Sequence, residues 1–530
     1  MTARRLGLRR PTAALRAAAL LAALSAAGCA SLPTLDGRTT TSALTSTGDT
    51  RLGRAVSALA ASHAAGEDGV YAMPQGRNAF AARVVLARAA DRSLDVQYYI
   101  WHADTTGFLL LEELWNAAER GVRVRLLVDD NGIAGLDPIL RAFDSHPNFE
   151  VRLYNPYPTR GFKVVDYLSD FGRLNRRMHN KSFTADTQAT IVGGRNVGDE
   201  YFAAGEGTFF IDMDALAVGP IAGDVGAAFD LYWNSVSAYP IDRIVKKADS
   251  NGVEAMKAKF AGVRSSPEAI EYMQAVRETP LVEAMAAHEV PFEWGTIELV
   301  CDQPKKTLGE ASESELLITD LRRAAGAPKT SLDIVSPYFV PREKGTKALS
   351  ALPARGVNLR IVTNSLVATD VGAVHAGYAK SRKALLRSGA LLYELRPDAG
   401  GARRARHGGS GGSGGSSGGS SSASLHGKTL SVDRDRAFIG SFNLDPRSKN
   451  LNTEMGFVIQ RTALAQRLSE RLDATLPAIA YRVILTPDGS LEWIEQGATG
   501  EVRYHHDPHT GFLKRLFVRI LGWLPIDSML

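Results

Sequence analysis

Apolar positions along the chain fall into two matched series, one in each half. Ser93–Ile100 alternates apolar and polar residues with the period of two of a half-buried strand. Ser331–Val340 repeats its Ser-Leu-Asp opening and a similar apolar rhythm. A helical stretch follows each, and then a second strand, Arg120–Val128 in the first half and Arg355–Val362 in the second. A further helix and a third strand follow, around Val151–Tyr154 and Leu391–Leu395. Strands alternating with helices predict an α/β fold made of two domains, each a β-sheet flanked by helices. The boundaries read as 76–235 and 311–465 for the domains, with a connecting, mostly helical segment over 236–310 and a C-terminal segment over 466–530.

The two ends of the chain have a different character. Residues 1–16 carry Arg4, Arg5, Arg9, Arg10 and Arg16, and Ala17–Leu24 is unbroken apolar sequence followed by Ser-Ala-Ala-Gly and then Cys29. This is the layout of an export signal over 1–28. Its apolar run is shorter than the ~20 residues a membrane-spanning helix needs. The cysteine after Ala-Ala-Gly resembles a bacterial lipobox, which implies lipidation at Cys29 and a lipoprotein held in the cell envelope, facing the periplasm or the outside. Residues 29–75 then read as a tether and N-terminal segment, with the Thr/Ser/Gly-rich stretch 30–50 as the tether between anchor and domain. At the other end, Gly511–Leu524 is apolar with Lys514, Arg515 and Arg519 inserted, which fits either an interfacial membrane helix or an amphipathic helix docked on the domain.

Charge changes the picture less than it first promises. The formal net charge is +5, a balance that invites a nucleic-acid reading. The five arginines of residues 1–28 equal the whole excess, so the remainder is formally neutral and no nucleic-acid partner is expected. The two cysteines rule out a disulfide scaffold. Cys301 lies in an extended apolar stretch and reads as a buried structural thiol.

Chemistry enters with a second repeat. His179-Asn-Lys181 is followed by Asp186, Gly193 and Asn196, and His426-Gly-Lys428 by Asp433, Gly440 and Asn443. The offsets from each histidine are 2, 7, 14 and 17 in both copies, a coincidence that chance does not produce. A phosphodiester repels an incoming nucleophile, so dividing its displacement into two steps calls for a nucleophile and a separate acid. Imidazole serves in both roles. Lys181 and Lys428, two positions from the histidines on an extended chain, share their face and put positive charge around phosphoryl oxygens. Asn196, Asn443 and the hydroxyl of Ser441 add neutral donors, Ser441 being replaced by Gly194 at the matching position of the first half. Each histidine also needs an acceptor for its other nitrogen. The strand after each motif offers one, Asp212 in the first half and Glu454 in the second, with Asp214 a competitor to Asp212. Asp186 and Asp433 are expected to hold their loops through local hydrogen bonds.

The duplicated HxKxxxxD…GxxN pattern resembles that of the phospholipase D superfamily. The phrases Ile191–Phe202 and Gly440–Ser448 are similar to its bacterial cardiolipin synthase branch. The resemblance runs from about residue 75 to the C-terminus. It implies two domains with mixed sheets, related by pseudo-two-fold symmetry and sharing one active site. It also implies a phosphohistidine intermediate, no metal or other cofactor, and phospholipid substrates at a membrane surface. It assigns His179 as nucleophile and His426 as acid/base, while the residues themselves permit the reverse order. The sequence shows no clustered Cys/His/carboxylate set for a metal, and His505-His506-Asp507-Pro508-His509 reads as a solvated turn. Cardiolipin synthesis from phosphatidylglycerol and a second phospholipid is the reading adopted. Hydrolysis to phosphatidic acid, a nuclease, and a non-enzymatic envelope lipoprotein are the alternatives. Intact His/Lys/Asn sets disfavour the last. Nothing in the sequence identifies an accessory protein. Gly408–Ser422, a pure Gly/Ser run before the second motif, reads as a tolerated insertion or a mobile lid.

Overall fold

The two apolar series become two sheets of the same design. The computed structural model describes residues 31–161, 163–204, 209–246, 251–399, 423–497 and 500–523. The export segment, Cys29 and the Gly/Ser run lie outside the described residues. In the first half the strands are β1 (Asp68–Met73), β2 (Ser93–Ile100), β3 (Arg123–Gly132), β4 (Phe149–Tyr154), β5 (Ser182–Ala185), β6 (Ala189–Gly193), β7 (Phe209–Ile211), β8 (Asp214–Val218) and β9 (Ala238–Pro240). In the second they are β10 (Glu293–Cys301), β11 (Ser331–Val335), β12 (Asn358–Asn364), β13 (Leu391–Leu395), β14 (Ala423–Leu425), β15 (Thr429–Val432), β16 (Arg436–Gly440), β17 (Met455–Gln460), β18 (Ala480–Leu485), β19 (Leu491–Gly497) and β20 (Gly500–Tyr504).

The first sheet runs β9-β4-β3-β2-β5-β6-β8-β1, with β2, β3 and β4 mutually parallel and the other neighbours antiparallel. The second runs β18-β13-β12-β11-β15-β16-β17-β10 with the same parallel trio and the same antiparallel remainder. Crossover helices cover the faces that the parallel trio exposes, as parallel strands require. The sheets join edge to edge where β1 pairs antiparallel with β10. The expected connecting segment therefore gives up its ends to the sheets, as β9 and β10. Between them lie helices Gly252–Arg264, Pro267–Arg277 and Pro280–Ala287. The C-terminal segment extends the second sheet through β18, β19 and β20.

The motif aspartates explain how each hairpin is fixed. Asp186 and Asp433 adopt left-handed φ of 49° and 56° at the β5–β6 and β15–β16 turns, a conformation that aspartate tolerates. The Asp186 carboxylate accepts the backbone N–H groups of Asp91, Arg92 and Ser93 at 2.9, 2.7 and 2.9 Å. Asp433 accepts those of Lys329, Thr330 and Ser331 at 2.9, 2.8 and 3.1 Å. Each aspartate thus pins the hairpin behind its histidine to the start of the neighbouring strand. Burial alone would raise the Asp433 carboxyl, but those N–H donors outweigh it and hold it at about 2.

Two expectations change. The segment 31–50 is bound along the first domain. Buried guanidinium groups need acceptors, and its carbonyls supply them: Thr41 O accepts from Arg125 at 3.0 Å and Thr39 O from Arg152 at 2.7 Å. Arg38 returns the favour on the carbonyls of Asn234, Ser235 and Ala238. The second concerns the 505–509 tract. His505 is exposed, but the Asp507 carboxylate accepts from Arg382 at 2.9 Å and lies 3.3 Å from His375 Nε2. A buried arginine has drawn the turn inward.

Asp186→Ala strands three partly buried N–H groups and is expected to lower the first urea-unfolding transition by about 2–4 kcal/mol, against about 1 kcal/mol for Asp433→Ala, whose donors water can reach. Circular dichroism against urea measures both, and equal small losses would contradict the clamp.

Candidate active site

His179–Lys181 leads directly into β5 and His426–Lys428 into β15, so extended backbone sets each histidine and lysine on one face. The main chain then ties each motif to the opposite half. His426 N and Gly427 N donate to Ile211 O at 2.8 and 2.9 Å, where β7 runs parallel to β14. Reciprocally, His179 N donates to Thr453 O at 2.9 Å, beside a bridge between Met178 and Thr453. Ile211 and Thr453 are the residues that precede Asp212 and Glu454.

The side chains cross in the same way. His179 Nδ1 donates to Glu454 Oε2 at 2.7 Å, and His426 Nδ1 donates to Asp212 Oδ2 at 2.5 Å. Sequence reasoning had offered each carboxylate to the histidine of its own half, and the structure exchanges them. The reason is sheet order. Within each half a complete strand, β6 or β16, separates the histidine's strand from the carboxylate's, and two inter-strand spacings amount to about 10 Å. The competitor Asp214 is taken by Arg83 at 2.9 Å and by the backbone N–H of Arg195. With Nδ1 donating, the unprotonated nitrogen of each neutral ring is Nε2.

The remaining predicted residues divide. Lys181 Nζ donates to His179 O at 2.6 Å, and Lys428 Nζ donates to His426 O while lying 3.1 Å from His426 Nδ1. Asn443 keeps a buried Oδ1 with no partner. Asn196 was expected to add a neutral donor; one Nδ2–H donates to the Tyr201 hydroxyl at 3.0 Å, and its Oδ1 accepts from Ile100 N at 3.2 Å. Ser441 was expected to face phosphate. Its hydroxyl instead donates to Glu454 Oε2 at 2.5 Å and accepts from Met455 N at 3.0 Å. The exchange of Ser441 for Gly194 follows from carboxylate length. Asp212 Oδ1 accepts Met213 N directly at 2.7 Å, and a Cβ at Gly194 would sit 2.1 Å from that same oxygen. Glutamate reaches further, and the serine hydroxyl fills the gap.

Sequence reasoning missed Ser448, Tyr99, Tyr201 and Phe210. Ser448 Oγ donates to Glu454 Oε1 at 2.7 Å. The Asp445 cap of helix Pro446–Asn450 announces that helix, but no pattern announces where the Ser448 hydroxyl goes. Tyr99 meets the His179 ring edge-on at 5.1 Å, and Tyr201 and Phe210 stand 5.2 and 5.1 Å from His426. Cys301 accepts from Asn180 Nδ2 at 3.4 Å, and burial pushes its thiol up to about 12. One carboxylate/histidine cluster, His102, Asp104 and Glu200, joins two segments that the sequence keeps apart. His102 pairs with Glu200 at 3.0 Å, and Asp104 caps a helix through Gly107 N.

Electrostatics separates the two histidines. Burial, then the charges of Lys181 and Lys428, hold His179 well below its ordinary value. Burial and Lys428 also lower His426, but Asp212 opposes them there. Burial pushes Glu454 up to about 7, although Lys181 and two hydroxyls pull the other way. Asp212 behaves oppositely. Burial would raise it, yet the His426 ring and Lys428 hold it well below the usual carboxylate range. Burial also brings Lys181 down to about 7. Two imidazoles, two lysines and two buried carboxylates thus form one electrostatic unit drawn from both halves.

The chain matches the family model described as cardiolipin synthase, PLD-like domain, twice, over residues 85–233 and 318–476. It is 42% identical over 480 residues to cardiolipin synthase C of Escherichia coli (strain K12), covering 91% of this chain and 100% of that protein. It is 32% identical over 448 residues to an uncharacterized protein of Helicobacter pylori (strain ATCC 700392 / 26695), covering 84% of this chain and 86% of that one. Among solved structures, phosphatidylserine synthase of Haemophilus influenzae Rd KW20 superposes with a TM-score of 0.55 at 14% identity, over 87% of this chain and 95% of the other, a likeness of fold.

Removing the charge of an adjacent carboxylate destabilises imidazolium. Asp212→Asn is therefore expected to lower the titration midpoint of His426 by about 1 to 2 pH units, with the larger movement at His426 and not at His179. Glu454→Gln should act mainly on His179. NMR of chains labelled at the histidine ring carbons reads both, and a shift confined to the histidine of the same half would contradict the crossing.

Proposed function

The chain belongs to the PLD-like cardiolipin synthase family, its chemistry is phosphatidyl transfer, and from that premise we propose a cardiolipin synthase that works through one shared His179/His426 site. The observation that carries the reading is the pair of imidazoles whose Nδ1 atoms are held by buried carboxylates of opposite halves, with a lysine beside each. In the first step His179 Nε2 attacks the phosphorus of one phospholipid. The N–P bond forms as the P–O bond to the headgroup breaks, and the departing alkoxide takes its proton from His426 Nε2. In the second step His426 removes the proton from a headgroup hydroxyl of phosphatidylglycerol, and that oxygen displaces His179 from phosphorus. Atoms and charge return to their starting state after each cycle.

The electrostatic asymmetry supports this division of labour. A nucleophile must be neutral, and His179 is the ring held well below its ordinary value. An acid must take up a proton, and although burial and Lys428 lower His426 as well, the anionic Asp212 carboxylate opposes them at that ring. Lys181, Lys428 and Asn443 complete the surroundings of the phosphoryl oxygens in this reading.

The membrane partner is supported at the C-terminal end. No helix among the described residues is long and apolar enough to cross a membrane. Helix Phe512–Trp523 seats Val518 and Leu521 against the Ala376 and Leu366 region, so it docks. Its other face leaves Leu513 77% and Trp523 80% exposed, together with Phe512, Leu516, Phe517 and Ile520. With Lys514, Arg515 and Arg519 on the same helix, that face suits the headgroup layer of an anionic bilayer. Lipidation at Cys29 after loss of residues 1–28 would add a second anchor, which mass spectrometry of the N-terminal peptide checks by finding or missing an acylated cysteine.

Purified protein incubated with defined phospholipids is expected to yield cardiolipin by mass spectrometry, with His179→Ala and His426→Ala each slowing transfer at least about 10⁴-fold. Phe517→Glu with Trp523→Glu should lose turnover on anionic vesicles while keeping it on short-chain lipid in micelles. Phosphatidic acid as sole product would select hydrolysis, and near-wild-type turnover in either histidine variant would end the single-site mechanism.

A further inference from the structure

The two halves differ most where they should be alike. In the first half, helix Thr105–Glu119 follows β2 and buries Phe108, Leu110, Leu111, Leu114 and Trp115 among others. It packs on helix Gly76–Ala89, and the helices of 252–287 close over both. The matching helix of the second half, Arg342–Ser350, follows β11 with the sequence REKGTKALS and buries no residue. Between it, helix Leu317–Ala325 and the sheet lies a cavity of about 1000 Å³, at the upper end of the ~300–1,000 Å³ range of small-molecule sites.

The walls of this cavity are largely apolar, and part of them comes from residues that neighbour Lys428 and Asn443 in the chain. Ile318 and Leu321 come from one helix, Leu349 from the other, and Leu332 and Ile334 from β11 beneath. Leu430 and Val432 also line it. They follow Lys428 at intervals of two, on the same face of β15. Phe442 and Leu444, the neighbours of Asn443 on either side, complete that end. The charged lining is basic on balance, with Arg322, Arg342, Lys344, Arg355 and Lys449 against Glu313, Glu343 and Asp445, and Lys449 pairs with Glu313 at 3.1 Å.

A cavity with apolar walls and a net cationic rim, on the sheet face that β15 carries on from Lys428, is matched to a molecule that carries an anionic phosphate on a long hydrocarbon. We propose that it receives an acyl chain of the phospholipid whose phosphodiester lies between His179 and His426. This rests on the phosphatidyl-transfer reading. Each CH₂ removed from water adds to binding, so the cavity favours long-chain donors and holds the lipid in place during both steps. In the first half, helix Thr105–Glu119 occupies the corresponding place with buried side chains.

The test uses full-length protein and phosphatidylglycerol bearing a diazirine near the end of one acyl chain, irradiated in mixed micelles and mapped by mass spectrometry. Adducts are expected in peptides spanning 317–325 and 342–352, competed by unlabelled phosphatidylglycerol and equally present in the His179→Ala chain. Adducts confined to other segments would overturn the proposal, as would labelling by a diazirine fatty acid that phosphatidylglycerol fails to compete. Leu349→Trp, and Ala348→Trp on the same helix as a second variant, should raise KM for long-chain donor about tenfold or more and leave dihexanoyl donor unchanged. Equal effects on both donors would also count against it. Wild-type protein that labels in the cavity without any transfer would refute the transferase reading while keeping the cavity. Transfer with labelling elsewhere would do the reverse.

Discussion

The constraint on which the site depends is the burial of two carboxylates, Asp212 and Glu454, each against the imidazole of the opposite half. A buried carboxylate without partners costs several kcal/mol, and removing one member of such a pair leaves that cost uncompensated. Glu454 is supplied from three directions, by His179 of the first half, by Ser441 after β16 and by Ser448 on a short helix. Asp212 receives His426 and the N–H of Met213. Neither half can withdraw without stranding a charge, so the geometry that serves chemistry also welds the domains. The edge pairing of β1 with β10 and the short parallel pair β7–β14 hold the same junction by backbone hydrogen bonds.

That junction is reciprocal but not identical, and the differences follow from single atoms. Glutamate in place of aspartate adds one methylene, which makes room for a serine hydroxyl where the first half accommodates only glycine. Position 214 is an aspartate tied to Arg83 and Arg195, while the corresponding Gly456 lies against Phe438. The result is two imidazoles in unequal fields. Burial and lysines lower both rings, and at His426 the anionic Asp212 carboxylate opposes them. The duplicated fold supplied two histidines, and small local departures from symmetry gave them different surroundings.

Much of this was legible in the chain because its signals are local. Period-two alternation gave the strands around Ser93–Ile100 and Ser331–Val335, and the repeated spacing from His179 and His426 gave the site. Asp186 and Asp433 sit in turns whose chemistry a short window contains. The crossing of the carboxylates was not legible, because it depends on contacts between residues 214 and 275 positions apart. The strands that bring Asp212 and His426 together, β7 and β14, are only three residues long and have no periodicity to read. Composition also misled at residues 31–50, where Thr, Ser and Gly signal a flexible tether. The buried guanidinium groups of Arg125 and Arg152 recruit that segment's backbone carbonyls, and composition carries no trace of such a demand. The second-half cavity was hidden for a related reason: a charged helix such as Arg342–Ser350 reads as a solvated helix whether or not space lies beneath it.

In the proposed mechanism both halves build one site, in which His179 carries the phosphatidyl group and His426 moves the protons. Rapid alkaline quenching of the enzyme turning over phosphatidylglycerol labelled with ³²P in its phosphodiester, followed by peptide mapping, tests it most directly. The account predicts label on the His179 peptide as an acid-labile phosphoramidate, and none on His426. Label on His426, or turnover with no labelled histidine at all, would contradict it.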